Sequence, residues 1–301
     1  MEYSIAELEK YSGIKAHTIR MWEQRYGVLT PQRTNTNIRF YTDDQLRKLL
    51  NVAALVRTGM RISQISVLSD SEMSSTLDDK VGLEDNAMYL KEINELIMSA
   101  LTYDEAVFHK VFADCMMRYG LQTTYVDILS PVLYRTGLMW TKSEMEVCQE
   151  HFISNLVRQK LFTAADKLAD PKPDSKRWVL FLPETEEHEI GLLYANVLIR
   201  QAGDEVVYLG PRVPMPSLVE NIGRIAPDYA LTFVKHSAHQ KWVQGYIDKL
   251  DDKLGHLRPI VAGPPYMFES INMGNNVRTM TDPRELIQMI TEHRKTYQEH
   301  G

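Results

Sequence analysis

The spacing of hydrophobic residues first predicts a series of short helices. Ile5 and Leu8 fall on one helical face, the Ser12-Gly13 pair breaks the pattern, and Ile19 and Trp22 begin a second helical face. Two short helices joined by a tight turn are typical of a helix-turn-helix. The polar segment over residues 33–39 then predicts a β-hairpin, or wing, and helical spacing resumes after it.

Two further patterns follow along the chain. Residues 87–169 have helical spacing with breaks near 102–104, 119–120 and 141–143, which predicts a four-helix bundle. After residue 174, short apolar runs alternate with helical segments, and this alternation predicts a parallel, doubly wound sheet. The predicted strands are 179–182, 206–209, 229–234 and 260–262.

These patterns predict a multidomain α and α/β protein with three domains. A winged helix-turn-helix domain covers residues 1–72, a helical bundle covers 84–170, and a Rossmann-like (flavodoxin-like) sheet domain covers 176–301. The polar, acidic segment 69–85 is interpreted as a linker.

Composition and charge refine this organisation. The chain is 44% hydrophobic and 25% charged, as in ordinary globular proteins, and its net charge is −6. Residues 10–61 nevertheless contain ten basic and three acidic residues, so a basic module is joined to an acidic remainder. Two cysteines and the lack of any run of about 18 apolar residues favour a cytoplasmic protein without a disulfide framework.

A histidine follows the first predicted strand of the sheet domain. The segment LFLPETEEHEIG places Glu186, His188 and Gly191 in an E-x-H-x-x-G pattern between a strand and a helix. Open α/β sheets bind ligands at this edge. A single histidine in a polar loop more often has no such role, so the rest of the chain decides between the two interpretations.

The first 70 residues or so resemble the MerR family of transcriptional regulators. The resemblance is carried by TIRMWEQRYGVLTP, by R-x5-RFYTDDQLRKL and by GMRISQI. It implies a winged-helix DNA-binding domain with one group of residues near the major groove and a second near phosphates or the minor groove. The first group is Lys15, His17, Thr18 and Arg20, and the second is Arg33, Arg39 and Tyr41. Trp22, Tyr26 and Phe40 are assigned to the core.

The remaining residues resemble cobalamin-binding modules. Trp140 is followed after nine residues by Glu150-His151, which completes a W-x9-E-H pattern, and E-x-H-x-x-G follows in the sheet domain. With the MerR segment, the chain resembles the cobalamin-dependent, light-responsive repressors of carotenoid genes. The resemblance implies that His188 ligates cobalt from below, that Glu186 holds its other ring nitrogen, and that Gly191 allows close approach of the corrin.

The same resemblance assigns further contacts to the cofactor. Trp140, Glu150 and His151 would lie at its upper face, against the adenosyl group. The residues that correspond to the slot for the nucleotide tail are Thr232, Val234, Ala262 and Gly263. This chain departs from the family at some positions: Glu186 stands where aspartate is usual, Thr232-Phe233-Val234 replaces S-x-L, and Ala262-Gly263 replaces G-G. Thr141 follows Trp140 where light-responsive relatives can carry a histidine.

The expected function is a non-enzymatic transcriptional regulator, and more specifically a repressor. Its cofactor would be cobalamin, in the adenosyl form, with its cobalt. Its partners would be a palindromic DNA operator and further copies of the chain. Two alternatives stay open: a sensor half that binds a partner protein or another small molecule, and a corrinoid methyl-carrier subunit, which the DNA-binding module disfavours. His236 and His239 are interpreted as loop residues rather than a second metal site.

Overall fold

The computed structural model describes residues 2–33, 37, 39–57, 60–70, 72–73, 76, 88–141, 145–234, 240–268 and 270–298. The chain divides into two compact units, Met1–Leu156 and Val157–Gly301. Most of the segment interpreted as a linker lies outside the described residues, as do His236 and His239. None of the helices in the described ranges is long and apolar enough to cross a membrane.

The first unit begins with the predicted helix-turn-helix. Helix α1 (Ile5–Ser12) starts at a capping box in which Ser4 and Glu7 exchange side-chain and backbone hydrogen bonds. It ends at Gly13, whose φ of 73° is the left-handed conformation that glycine adopts without strain. Helix α2 (Ala16–Tyr26) follows at once, so the turn forms where the sequence predicts it.

A small antiparallel sheet follows the two helices. Strand β2 (Gln32–Arg33) pairs with β3 (Arg39–Thr42) and forms the predicted wing. The sequence pattern did not predict β1 (Glu2–Tyr3), which pairs with the other edge of β3. Two residues at the start of the chain are too few to show an alternating pattern.

Helices α3 (Asp43–Arg57) and α4 (Ile62–Ile65) complete the N-terminal part of this unit. The bundle that follows consists of α5 (Leu90–Thr102), α6 (Glu105–Thr123), a π-helix (Thr124–Leu129), α7 (Ser130–Thr141) and α8 (Val147–Asp166). Helix α8 begins in the first unit and ends in the second, because the boundary falls after Leu156.

Two of the three predicted breaks in the bundle have clear local causes, and most of the third, 141–143, lies outside the described residues. Tyr103 adopts a left-handed conformation after α5, and the Asp104 side chain caps α6 by accepting a hydrogen bond from the Val107 N–H. Gly120 interrupts α6 with φ of 72° and ψ of 177°. Glycine tolerates this backbone conformation, which other residues rarely adopt.

A buried asparagine connects the N-terminal helices to the bundle. Asn94 on α5 is 4% exposed, and its Nδ2 donates to the Leu50 carbonyl of α3 at 3.4 Å. Its Oδ1 accepts a hydrogen bond from Arg135 Nη1 of α7, also at 3.4 Å. A buried amide with both ends paired fixes the relative register of its neighbours, so Asn94 links α3 to the bundle.

The second unit contains a five-stranded parallel sheet. Its strands are β4 (Arg177–Pro183), β5 (Glu205–Val213), β6 (Tyr229–Phe233), β7 (Ile260–Ala262) and β8 (Arg278–Met280). Their order is β5-β4-β6-β7-β8, and all pairs are parallel, which is the flavodoxin-like arrangement. Four strands lie where the sequence predicts them. The short β8 was not predicted, because its three residues include Arg278 and Thr279 rather than an apolar run.

Helices cover the two faces of this sheet. They are α9 (Ile190–Gln201), α10 (Met215–Ile225), α11 (Gln240–Leu254) and α12 (Pro283–Gln298). One apolar cluster joins α9 and α12 to one face, and a second joins α10 and α11 to the other. Strand β4 is buried over Trp178 to Pro183, so the loop after it rests on a rigid support.

Candidate functional site

The loop between β4 and α9 holds Glu186 and His188 as a bonded pair. His188 Nδ1 lies 2.6 Å from Glu186 Oε1, and the same oxygen accepts hydrogen bonds from the N–H groups of Glu187 and His188 at 3.0 Å. The Glu186 side chain is 8% exposed, whereas that of His188 is 57% exposed. The carboxylate thus forms a buried anchor for an imidazole that faces solvent.

The hydrogen bond with Glu186 determines which ring nitrogen of His188 can bind a ligand. A carboxylate can only accept, so Nδ1 is the donor, and a neutral ring then carries its lone pair on Nε2. A histidine that binds a metal usually donates its other ring N–H to a carboxylate or carbonyl in this way. The donor set therefore fits ligation of a single metal site by His188.

Two further side chains hold Glu189, the next residue of the loop. The Glu189 carboxylate lies 3.0 Å from Arg158 Nε on α8 and accepts a hydrogen bond from the Tyr208 hydroxyl of β5 at 2.9 Å. Burial raises the pKa of Tyr208 well above its usual range, and the hydrogen bond to Glu189 adds to the increase. Sequence analysis did not identify these residues, since they lie far apart in the chain and match no local pattern.

The opposite end of the loop is tied to the end of β5. Arg212 forms an ion pair with Glu187, and the Arg212 N–H donates to the Glu186 carbonyl at 3.3 Å. Arg212 has a φ of 57°, so the backbone turns sharply at this contact. The loop that presents His188 is therefore anchored both by its own carboxylate and by its neighbours, at the switch point of the sheet where ligands bind in such folds.

The residues assigned to the tail slot lie on two faces of the sheet. Thr232 is fully buried, with its hydroxyl 3.5 Å from the Tyr246 hydroxyl of α11, and Val234 packs in the same cluster. Gly263 lies beside them, because a Cβ at this position would come within 2.6 Å of the Val234 carbonyl oxygen. Ala262 packs instead on the α9 face, where Gly191 also lies. The structure thus groups Thr232, Val234 and Gly263 and places Ala262 on the opposite face of the sheet.

The bundle residues of the W-x9-E-H pattern lie at the surface of the first unit. Trp140 is 48% exposed near the end of α7. Glu150 lies in the first turn of α8, and its Oε2 is 2.8 Å from His151 Nδ1, so this histidine is also paired with a carboxylate. The His151 side chain is 67% exposed and thus accessible to a ligand. Thr141 ends α7.

The basic residues assigned to the major groove lie at the start of α2. Lys15, His17 and Arg20 are exposed, and Thr18 is half-buried. Lys15 Nζ lies 3.0 Å from Glu9 Oε1, and the other oxygen of Glu9 accepts the Ala16 N–H at 2.9 Å. This backbone hydrogen bond, together with Lys15, lowers the pKa of Glu9.

The wing and α2 are joined by a buried contact. The Tyr41 hydroxyl donates to Glu23 Oε1 at 2.5 Å, and Arg39 Nε lies 3.9 Å from Glu23 Oε2. Tyr41 is fully buried, so it offers no surface to DNA, and we correct its assignment as a DNA contact. Burial and the Glu23 carboxylate raise the pKa of Tyr41 well above its usual range. Arg33 is exposed on the wing.

The structure combines a basic winged helix-turn-helix, a helical bundle and a flavodoxin-like domain that carries a carboxylate-paired histidine. These are the features of a MerR-type regulator with a B12-binding domain. Comparison with known proteins agrees. Residues 3–72 match the family model described as MerR HTH family regulatory protein, and residues 92–163 match the model described as B12 binding domain.

The relatives extend over most of the chain. It is 30% identical over 231 residues to the HTH-type transcriptional repressor CarH of Myxococcus xanthus, covering 75% of this chain and 77% of CarH. It is 28% identical over 253 residues to CarA of the same organism, covering 83% of each chain. The chain belongs to this family of MerR-type transcriptional regulators, and the expectation of a regulator rather than an enzyme is confirmed.

A solved structure supports the fold of the bundle and the parallel sheet domain. The Methanosarcina barkeri monomethylamine corrinoid protein superposes with a TM-score of 0.53 at 16% identity, covering 68% of this chain and 99% of that one. At this identity, the likeness shows the fold alone. It agrees with the predicted bundle and parallel sheet.

Proposed function

We propose that this protein is a transcriptional repressor that senses cobalamin through His188, whose imidazole would hold the cobalt. The observation that carries the proposal is the pair formed by His188 and the buried Glu186, at 2.6 Å. A neutral, oriented imidazole is a good ligand for a transition metal. Family membership supports cobalamin as the source of that metal.

In this proposal, Glu186 and Glu189 have different roles in the loop. Glu186 holds the proton on Nδ1 and so keeps the lone pair on Nε2 directed to the ligand. Glu189, held by Arg158 and Tyr208, keeps the start of α9 in place. When bound in its adenosyl form, cobalamin would supply a cobalt–carbon bond that light can cleave.

We further propose that Trp140, Glu150 and His151 contact the upper face of the cofactor. Their exposure is compatible with this role, since Trp140 is 48% exposed and the His151 side chain is 67% exposed, so that a ligand can reach both. Glu150 pairs with His151 at 2.8 Å and would orient its ring as Glu186 orients that of His188. Gly191 and Ala262 lie on the α9 face of the sheet, and we assign them to the lower side of the ligand.

DNA binding is assigned to the basic N-terminal module. Lys15, His17, Thr18 and Arg20 would approach the major groove from the start of α2, and Arg33 and Arg39 would contact the backbone from the wing. We propose that adenosylcobalamin promotes self-association and that light reverses it. Two modules held at fixed spacing bind a palindromic operator far better than one.

Domain limits follow from the same proposal. Residues 1–72 would form the DNA-binding domain, 84–170 the bundle, and 176–301 the flavodoxin-like domain. These limits differ from the two compact units because α8 runs past residue 156.

The test is a titration of the full chain with adenosylcobalamin in the dark, followed by visible absorption. We expect a spectrum with histidine bound to cobalt in the wild type, and its loss in His188→Ala. Glu186→Gln should weaken binding by about 10- to 100-fold, the usual effect of removing the partner of a ligating histidine. His256→Ala, an exposed histidine of the same unit, is the matched control.

Each outcome decides a different part of the proposal. An unchanged spectrum in His188→Ala contradicts the ligand role, and no binding by the wild type contradicts the cofactor. Measuring molecular mass and operator binding before and after green light then tests assembly and the light response. If neither changes, the switch is refuted while cobalamin binding stands.

A further inference from the structure

The start of helix α2 has no cap within its own segment. The first N–H groups of a helix lack helical partners and are usually satisfied by a Ser, Thr, Asp or Asn side chain at the N-cap. Among the described residues 15–26, the N-cap is Lys15, which makes no side-chain cap hydrogen bond, and the first turn contains no acidic residue. The N-terminus of α2 therefore needs a partner from another part of the chain.

Glu9 on α1 supplies that partner. Its Oε2 accepts a hydrogen bond from the Ala16 N–H at 2.9 Å, and its Oε1 lies 3.0 Å from Lys15 Nζ. The Ala16 N–H, followed by Lys15 and more weakly by His17, lowers the pKa of Glu9, so the carboxylate is charged at neutral pH. One side chain of α1 thus holds both the backbone at the start of α2 and the Lys15 ammonium group.

The ion pair between Glu9 and Lys15 has more consequence for DNA binding than for stability. The Lys15 side chain is 73% exposed, and ion pairs this open to water contribute little to folding. Lysines contact DNA phosphates, which gives affinity without sequence preference. While Glu9 holds Lys15, a phosphate has to compete with the carboxylate for the ammonium group, and the carboxylate repels the phosphate. The charge of Glu9 therefore weakens binding to DNA of any sequence.

The hydrogen bond between Ala16 and Glu9 acts on a different part of recognition. Bases are read by side chains at the start of a recognition helix, and His17 and Thr18 follow Ala16 directly. A first turn that is already fixed loses less conformational freedom when these side chains meet the bases. This hydrogen bond therefore favours binding to the correct sequence.

We propose that Glu9 is a positioning residue for DNA binding with two separable effects. Its charge restrains Lys15 and limits affinity for any DNA, whereas its hydrogen bond with Ala16 holds in place the residues that read bases. The proposal rests on the proposed function, which places the start of α2 at the major groove.

The test measures DNA binding of the full chain by fluorescence anisotropy, in the dark, with adenosylcobalamin and again without it. One labelled duplex has a random sequence, and the other is selected by the wild-type chain from a randomised pool. Dissociation constants are measured over a salt range of about 50–200 mM. Glu9→Gln removes the charge but keeps an amide oxygen that can accept the Ala16 N–H, whereas Glu9→Ala removes both.

The two variants should differ in their effect on specificity. Glu9→Gln should bind both duplexes about fivefold more tightly at low salt, with a logarithmic salt slope steeper by about one, because one further phosphate contact is made. The ratio of the two affinities should not change. Glu9→Ala should gain the same affinity for the random duplex but not for the selected one. Its ratio should fall by about fivefold, the usual effect of a missing helix cap.

Two further variants control for charge and position. Lys15→Ala should reduce the salt slope by about one in the Glu9→Gln background and much less in the wild type. Asp70→Asn is the matched control, because Asp70 pairs with Lys48 at 3.3 Å but lies outside α1 and α2. It should leave the slope and the ratio unchanged. If Glu9→Ala does not fold, as judged by circular dichroism, Glu9→Met keeps the length of the side chain and should lower the ratio in the same way.

The results separate this proposal from the function on which it rests. An unchanged slope in Glu9→Gln, an equal shift in Asp70→Asn, or an equal effect of Lys15→Ala in both backgrounds overturns the role of the charge. An unchanged ratio in the folded Glu9→Ala or Glu9→Met variant overturns the role of the hydrogen bond. In either case, a wild type that prefers its selected duplex leaves the DNA-binding function intact. If the wild type selects no sequence, both proposals fall.

Discussion

Replacing Tyr41 by phenylalanine removes one hydroxyl from the contact between the wing and α2 and leaves the ring in place. The hydroxyl donates to Glu23 at 2.5 Å, and the Glu23 side chain is 7% exposed, so water replaces the lost hydrogen bond poorly. A hydrogen bond to a charged group contributes about 1.5–3 kcal/mol. Because the ring still fills the core, no cavity cost is added. We expect the free energy of unfolding of this region to fall by about 2 kcal/mol.

Amide hydrogen exchange followed by mass spectrometry measures this loss in the full chain, where a single unfolding transition cannot be assumed. Exchange should accelerate in peptides that cover α2 and β3 and stay unchanged in the parallel sheet. In a Glu23→Gln background, the further change Tyr41→Phe should cost much less. Tyr26→Phe, at the end of the same helix, controls for the loss of a hydroxyl. An equal cost in both backgrounds, or a loss below about 0.5 kcal/mol, would refute the reasoning.

Three further predictions concern stability. Asn94→Ala should destabilise the contact between α3 and the bundle by about 1–3 kcal/mol, because it removes the two hydrogen bonds to Leu50 and Arg135, each worth about 0.5–1.5 kcal/mol, and it should speed amide exchange in α3 and α5. The raised pKa of Tyr208 gives stability that is complete below about pH 10 and lost as pH rises above it, since only the unfolded chain ionises there; Tyr208→Phe should flatten the alkaline part of a urea-denaturation series. Gly263→Ala should lower the melting temperature, because the new methyl meets the Val234 carbonyl oxygen, whereas Gly137→Ala, with nothing within 4 Å, should leave it unchanged or raise it.

Much of the fold can be predicted from the spacing of hydrophobic residues, because buried positions recur with the period of the helix or strand that contains them. The helix-turn-helix, the bundle breaks at Tyr103 and Gly120, and four of the five parallel strands lie where the pattern predicts them. The E-x-H-x-x-G pattern also identified the Glu186–His188 contact, because both residues belong to one short loop.

Contacts between distant segments could not be predicted in the same way. Arg158, Glu189 and Tyr208 meet only because α8, the loop and β5 come together, and no spacing encodes that meeting. The resemblance to the MerR family implied a DNA contact for Tyr41, whereas the structure buries this side chain against Glu23. Short strands such as β8 carry too few residues to show a period.

Helix α8 determines how the protein can be divided experimentally. A cut after Leu156 severs one continuous helix and leaves up to four carbonyl groups on one fragment and four N–H groups on the other without helical partners. A fragment that contains the parallel sheet therefore needs the whole of Val147–Asp166 to keep Arg158 in a stable helix beside Glu189. Chimeras between relatives should likewise not be joined within Val147–Asp166, since this continuous helix belongs to both compact units.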